Sequence, residues 1–385
     1  MAPKILILTI GKYPHLGGKS VHIDYLEKLL PQYNISPKVV SFSNLNPLER
    51  NICHLPRLFS NLPLDFSLRR FFLARKLHQC DYKKDYPLYL IQDTPAYPLA
   101  KDKPYILTIH GSAADEYASK KDIKKNSSSY RKLLHEEVLA AQKASAVITV
   151  DTNLKNQIIA RSHIDSSKVT VLKNAVDSEL FSPPVDKFSC KRQLGFSLDD
   201  YLTLVLRRLV PKNGVKYAIM ALALLQKKQV KLLIAGDGPE KTSLERLVSF
   251  YNLKEQVVFW GAIPHEQTPK LLQAADLALI PSVPHANVIE ATSISALEAM
   301  ACSLPIIASS IGGLVELLAP DAAYLIPSND SQALARAWQQ MIDNPDLAST
   351  FARNARQRVL QEYSLTKWAK TYTELIATCL GGGSH

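Results

Sequence analysis

The chain has 385 residues, 46% of them hydrophobic, with a mean hydropathy of −0.05 and a formal net charge of +11. That length suits two domains of ordinary size. No apolar run reaches the roughly 18 residues a membrane span needs, and five scattered cysteines without a C-x-x-C pair speak against disulfides and zinc and for the reducing cytoplasm. Residues 1–184 hold 26 Lys and Arg against 17 Asp and Glu, a net of +9, while the remainder holds 20 against 18, a net of +2. The first half is therefore expected to meet an anionic partner, and without a nucleic-acid module a membrane surface fits better than a nucleic acid.

Taken in chain order, short apolar runs alternate with amphipathic segments, the pattern of parallel βαβ units. The opening Met1-Ala-Pro-Lys4 and its apolar continuation are too short for a signal peptide and read as a buried strand. Strands are predicted at 5–10, 39–42, 88–91, 105–109, 146–150 and 169–172, then at 202–206, 231–235, 257–260, 277–280 and 305–308. Phe181-Ser-Pro-Pro184 stops regular structure between the two sets. The expected architecture is α/β: two Rossmann-like doubly wound domains, 1–184 and 185–364, facing across a cleft with ligands at strand carboxyl ends. Residues 365–380 form an amphipathic helix, and 381–385 read as a purification-tag remnant.

Several groups at predicted strand ends carry chemistry. Gly17-Gly18-Lys19-Ser20 looks like the end of a nucleotide-triphosphate loop, but Tyr13 stands where that motif needs glycine. What is left is a strand, a glycine loop and a helix start, which serves either as a plain turn or as a phosphate approach. His110 ends an apolar strand and precedes Gly111; it is a structural histidine or a ligand contact. Arg207-Arg208 and Lys212 form a solvated basic loop or a fork and ammonium that neutralise a pyrophosphate without metal. Gly236-Asp-Gly-Pro239 is a turn whose first glycine keeps a pocket rim open, and Gly261 and Ile263 follow the next strand, where a nucleotide base would lie.

Glu290 and Glu298 bracket a helix start at which Ser293 and Ser295 offer capping hydroxyls. The N–H groups at Ser293 and Ile294 suit a phosphate, and carboxylates on both flanks accept hydroxyl donors. A sugar nucleotide has that shape; an ordinary solvated helix is the alternative. Phe66-Ser-Leu-Arg-Arg-Phe-Phe-Leu-Ala-Arg-Lys-Leu77 sets aromatic and aliphatic side chains among Arg69, Arg70, Arg75 and Lys76. It reads either as a helix lying in a membrane interface or as a core helix with a solvated basic face.

Six of these features, in order, resemble the retaining GT-B glycosyltransferases of glycosyltransferase family 4. They are the first strand with Gly17-Gly18; Thr108-Ile-His110-Gly111; Leu172-Lys-Asn-Ala-Val-Asp177, similar to P-N-G-V-D; Arg208-Leu-Val-Pro-Lys-Asn-Gly214, similar to R-L-V-x-x-K-G; Ala235-Gly-Asp-Gly-Pro239; and the E-x7-E pair Glu290 and Glu298. Two departures stand out. Asn213 occupies the slot of the family lysine, leaving Lys212 one residue early, and Glu290-Ala-Thr-Ser293 replaces E-P-F-G or E-G-F-G.

The resemblance implies a last helix that crosses back to the first domain. It also implies retaining transfer of a hexose or N-acetylhexosamine from a UDP- or GDP-linked donor to the hydroxyl of a glycan or lipid-linked acceptor. The setting would be envelope or exopolysaccharide synthesis at the cytoplasmic face of a membrane. By resemblance Gly17 and Gly18 abut the diphosphate, and Arg208 and Lys212 neutralise it. His110 and Glu290 hold the donor sugar, and Glu298 the ribose. No cofactor is implied, and no D-x-D metal triplet occurs. The rival readings are a sugar-nucleotide epimerase or hydrolase on the same fold, and a catalytically silent nucleotide-binding subunit of a membrane complex.

Overall fold

The apolar runs become strands buried on both faces, as parallel sheets covered by helices require. A computed structural model describes residues 2–14, 18–55, 62–79, 82–100, 102–119, 123–285 and 292–381. The chain folds as two units, Met1–Lys173 with Thr366–His385, and Asn174–Leu365.

The first unit runs β1 (Lys4–Leu8), α1 (Gly18–Leu29), β2 (Ser36–Val40), α2 (Pro47–His54), α3 (Leu62–Gln79), α4 (Tyr82–Asp85), β3 (Leu88–Ile91), β4 (Tyr105–Ile109), α5 (Ala113–Ser119), α6 (Ser128–Lys143), β5 (Ala146–Thr149), α7 (Thr152–Ser162) and β6 (Val169–Val171). The second runs α8 (Lys187–Gln193), β7 (Tyr201–Leu206), α9 (Val215–Leu225), β8 (Val230–Ala235), α10 (Lys241–Phe250), β9 (Val257–Gly261), α11 (Thr268–Ala274), β10 (Leu277–Ile280), α12 (Ile294–Ala301), β11 (Ile306–Ser309), α13 (Gly312–Leu318), β12 (Tyr324–Ile326), α14 (Ser331–Asp343) and α15 (Pro345–Glu362). The last helix, α16 (Leu365–Gly381), returns to the first unit.

Among the described residues each unit carries a six-stranded sheet, ordered β2-β1-β3-β4-β5-β6 and β12-β11-β10-β7-β8-β9. Every pairing is parallel; Ile5 opposes Leu88, for example, and Tyr201 opposes Val230. The strand order reverses between β1 and β3 in the first sheet and between β7 and β10 in the second. Loops leaving the carboxyl ends of those pairs diverge to opposite faces and open a crevice, the position where doubly wound sheets bind ligands.

Helix ends follow their capping residues. Asn46 and Glu49 close a reciprocal capping box on α2, with bonds of 2.8 and 3.0 Å. Asp151 caps α7 through Leu154 N at 2.7 Å, and Asp330 caps α14 through Ala333 N at 2.8 Å. Trp338 of α14 is fully buried in the core cluster that also holds side chains of α9, β7, β8 and β10.

The structure differs from the sequence reading in four places. A strand at 324–326 is absent from the sequence reading, because it is only three residues long at the sheet edge and two of them, Tyr324 and Leu325, are only partly buried. The chain passes from one unit to the other at Lys173 and Asn174, ahead of the Pro183-Pro184 break. Phe181 is fully buried in the core of the second unit. Residue 42 leaves the predicted strand to begin a short 3-10 turn, which Ser41 caps through Ser43 N at 3.2 Å.

The fourth difference concerns α3, which packs as a core helix through Phe66, Leu73 and Leu77. Two of its four basic side chains turn inward. Arg69 pairs with Asp65 at 2.6 Å, donates to Ile10 O at 3.0 Å and lies 4.1 Å over the Phe42 ring. Arg70 pairs with Glu136 at 2.5 Å and donates to Pro95 O at 2.6 Å. Lys76 donates to Asn44 O at 2.9 Å, and Arg75 is exposed.

Candidate active site

The reversal in the second sheet places the loop after β7 beside the loop after β10. Three glycines let backbones close on that loop. A Cβ on Gly236 would lie 1.9 Å from Arg207 O, one on Gly238 2.4 Å from Leu209 O, and one on Gly214 1.9 Å from Pro281 O. Hydrogen bonds complete the clamp: Leu209 N to Asp237 O at 3.0 Å, Val283 N to Lys212 O at 2.8 Å, and Arg207 Nη1 to Ser282 Oγ at 2.7 Å.

Asn213 is buried, and its amide donates to Arg208 O at 2.7 Å. The residue in the lysine slot thus holds the loop from inside. Arg208 is exposed and Lys212 half-buried, and neither has an ion-pair partner among the described residues. Gly261 adopts φ +83 and accepts from Gly236 N at 2.8 Å, and Ile263 packs on the adjoining core.

α12 starts from the neighbouring loop, with Ser293 at its N-cap. The expected capping hydroxyls do not cap: Ser293 Oγ and Ser295 Oγ meet each other at 3.2 Å, and Ser293 makes no side-chain bond to the first-turn N–H groups. The first turn keeps its donors and the positive end of its dipole. Glu298, on the second turn, is 3% exposed, and its Oε1 lies 2.8 Å from His265 Nε2. Burial pushes the Glu298 carboxyl above its ordinary value, and the His265 imidazole opposes that shift. Glu290 lies outside the described residues, as does Gly17.

In the first unit, the β1/β3 reversal brings together Thr9, Asp93 and Lys19. Lys19 Nζ reaches Asp93 Oδ2 at 2.9 Å, Thr9 Oγ1 donates to the same oxygen, and Ile10 N donates to Oδ1 at 3.2 Å. Burial opposes ionisation of Asp93, but Lys19 and these bonds hold its carboxyl below the usual range. Gly18 is the first residue of α1. His110 follows β4, with Nε2 3.2 Å from Gln92 Oε1. Burial, then His22 and Lys19, hold the His110 imidazole well below its ordinary value, so the ring is neutral near pH 7.

The sequence reading did not single out His265, Asp93 or Gln92. A polar residue just beyond an apolar strand was the available signal for Asp93 and Gln92; nothing in the sequence pairs His265 with Glu298.

Residues 16–180 match the model of Glycosyltransferase Family 4, and residues 186–358 match that of the Glycosyl transferases group 1. The chain belongs to the group 1, family 4 glycosyltransferases. An uncharacterized glycosyltransferase of Methanocaldococcus jannaschii is 30% identical over 61% of this chain and 60% of its own length. The chain spans between about two fifths and three fifths of the length of the first curated relatives it matches. Two solved structures, each 21% identical, share the GT-B fold. The sucrose-phosphate synthase of Thermosynechococcus elongatus has a TM-score of 0.79 and matches 99% of this chain and 100% of its own. The Anabaena HepE protein in complex with UDP-glucose has a TM-score of 0.75 and matches 97% and 99%.

Proposed function

We propose that this family member is a retaining, metal-independent glycosyltransferase that moves a hexose or N-acetylhexosamine from a UDP- or GDP-linked donor to an acceptor hydroxyl. One observation carries the reading: at the β7/β10 reversal the loop bearing Arg208 and Lys212 is clamped onto the start of the loop after β10, and the next helix, α12, begins with an uncapped first turn. Preorganised donors and cations of this kind stabilise the charge that develops on a departing diphosphate. Glu298 serves the ribose hydroxyls, Gly236, Gly261 and Ile263 border the nucleotide, and Glu290 with His110 addresses the transferred sugar. Gly17 and Gly18 border the diphosphate.

In the step proposed, the bond from the anomeric carbon to the diphosphate oxygen breaks as the acceptor oxygen bonds on the same face. The acceptor's proton passes to the departing phosphate. The HepE complex supports a nucleotide-sugar partner.

The silent-subunit reading drew on Asn213, whose buried amide now has a structural role, so the enzyme reading is preferred. The basic first half and the exposed Leu48, Leu55 and Phe71 support peripheral contact with an anionic membrane, and with it a cytoplasmic protein acting on a lipid-linked or envelope-glycan acceptor.

The test is a panel of UDP- and GDP-sugars with glycan and lipid-linked acceptors, following nucleoside diphosphate release and the anomeric configuration of the product. Arg208→Met is expected to lower turnover by about 10²-fold, as loss of one charge-stabilising group does. Release that ignores the acceptor would make the protein a hydrolase, and nucleotide binding without release would make it a silent subunit.

A further inference from the structure

A second histidine lies against the first. His22, on α1, is 2% exposed, and its ring meets that of His110 edge-on with centroids 4.7 Å apart. Trp368 of α16 packs on His22, also at 4.7 Å. His22 Nε2 lies 2.7 Å from Tyr372 Oη, and Tyr372 Oη lies 2.8 Å from Thr108 Oγ1. Gln92 Nε2 donates to Thr108 Oγ1 at 3.4 Å, and Gln92 Oε1 faces His110 Nε2 at 3.2 Å. Gln92, Thr108 and Tyr372 are buried.

Given the orientation of the Gln92 amide, with Nε2 toward Thr108 and Oε1 toward His110, counting protons sets the direction of this chain. An amide oxygen only accepts, so His110 Nε2 carries a hydrogen and donates to Gln92. An amide nitrogen only donates, so Thr108 Oγ1 accepts. The Thr108 proton then has Tyr372 Oη as its acceptor among the described residues, and the Tyr372 proton has His22 Nε2. This arrangement leaves no hydroxyl proton unpaired, which matters because an unmet donor is costly in a buried network. It also assigns the two nitrogens of His110 different tasks, with Nε2 committed to Gln92 and Nδ1 carrying the lone pair.

We infer that His22 and Tyr372 are positioning residues which, through Thr108 and Gln92, fix His110 as the Nε2–H tautomer and present Nδ1 as an acceptor to a sugar hydroxyl. The hydroxyl recipient rests on the proposed role of His110; the tautomer does not. The helix that supplies Tyr372 and Trp368 lies at the far end of the chain from α1, so the last helix helps to set the chemistry at the end of β4.

The test uses the full chain labelled with ¹⁵N-histidine, with the His110 signals assigned by their loss in His110→Gln. Two-bond proton–nitrogen correlation spectra report the tautomer directly. The wild-type ring is expected to be Nε2–H. Tyr372→Phe keeps the aromatic ring but removes the bridging hydroxyl, and Thr108→Val removes the hydroxyl beside it at nearly constant volume. Each is expected to give a mixture of tautomers and about a tenfold lower transfer rate, with UDP affinity unchanged within twofold. Should one variant fail to fold, the other still decides. A wild-type Nδ1–H ring, or an unaltered tautomer in a folded variant, overturns the inference. A shifted tautomer with normal turnover supports the relay and removes His110 from the reaction.

Discussion

Glu298 is an ionisable side chain in a place that resists charge. Its folded form holds a proton to higher pH than the unfolded chain does, because burial raises its pKa above the ordinary 4.5 against the pull of His265. The sign follows from linkage: its contribution to stability is largest below 4.5 and declines as pH rises through the raised folded value. Glu298→Gln keeps an oxygen for His265 but has no proton to lose. The difference in Tm, wild type minus variant, should therefore fall as pH climbs above 4.5 and level off beyond the folded value. A difference that stays constant from about pH 4 to pH 8 would show that His265 cancels the burial cost.

At the scale of elements, the turn from β4 into α5 is held by two later helices. Ala113 N donates to Glu137 Oε2 at 3.2 Å, and Arg161 Nη1 donates to Ser112 Oγ at 3.3 Å. Arg161 also pairs with Glu137 at 3.1 Å and with Asp115 at 3.2 Å. Glu137 is buried, so Arg161→Met leaves its charge uncompensated and is expected to cost about 3 kcal/mol in urea unfolding. Adding Glu137→Gln should recover much of that loss, because the two sites are coupled. A single variant costing under about 1 kcal/mol would mean the pair does not hold the turn.

The same region shows what a sequence makes legible. The strands could be read because a strand covered on both faces is apolar throughout, and His110 and Asp93 stand at their ends. Glu137, Arg161 and Tyr372 could not be placed, since the topology alone brings α6, α7 and α16 to those strand ends. Arg69 was mistaken for a surface charge although Asp65 stands one helical turn before it, the spacing of an internal pair. The clamp around Arg208 was half visible: its glycines are in the sequence, but the inward turn of Asn213 is not.

For the whole molecule, the excess of positive charge falls in the first half of the chain, and the first unit also exposes large apolar side chains. Leu48, on α2, is 70% exposed; on α3 Phe71 is 62% exposed, and Arg75, one turn further on, is exposed as well. No helix among the described residues is long and apolar enough to cross a membrane. Each basic residue near an anionic surface contributes about 1 kcal/mol. Sedimentation with anionic vesicles should recover the protein, recovery should fall as salt rises, and Phe71→Ser with Arg75→Gln should weaken it. Equal recovery with neutral and anionic vesicles would point to a soluble acceptor.

The return of α16 to the first unit also sets a schedule for synthesis. Trp368, Ala369, Tyr372 and Ile376 are buried in the finished protein. Ribosomes make these residues only after the whole second unit has been added, roughly 10–40 s after Lys173 at ordinary bacterial or eukaryotic speeds. Over that interval the nascent first unit carries an unfilled apolar slot with His22 at its wall, while the second unit has every residue it needs. The unit that is made first is thus the one completed last, and the growing chain is most open to chaperones and to aggregation at the place where its last helix will dock.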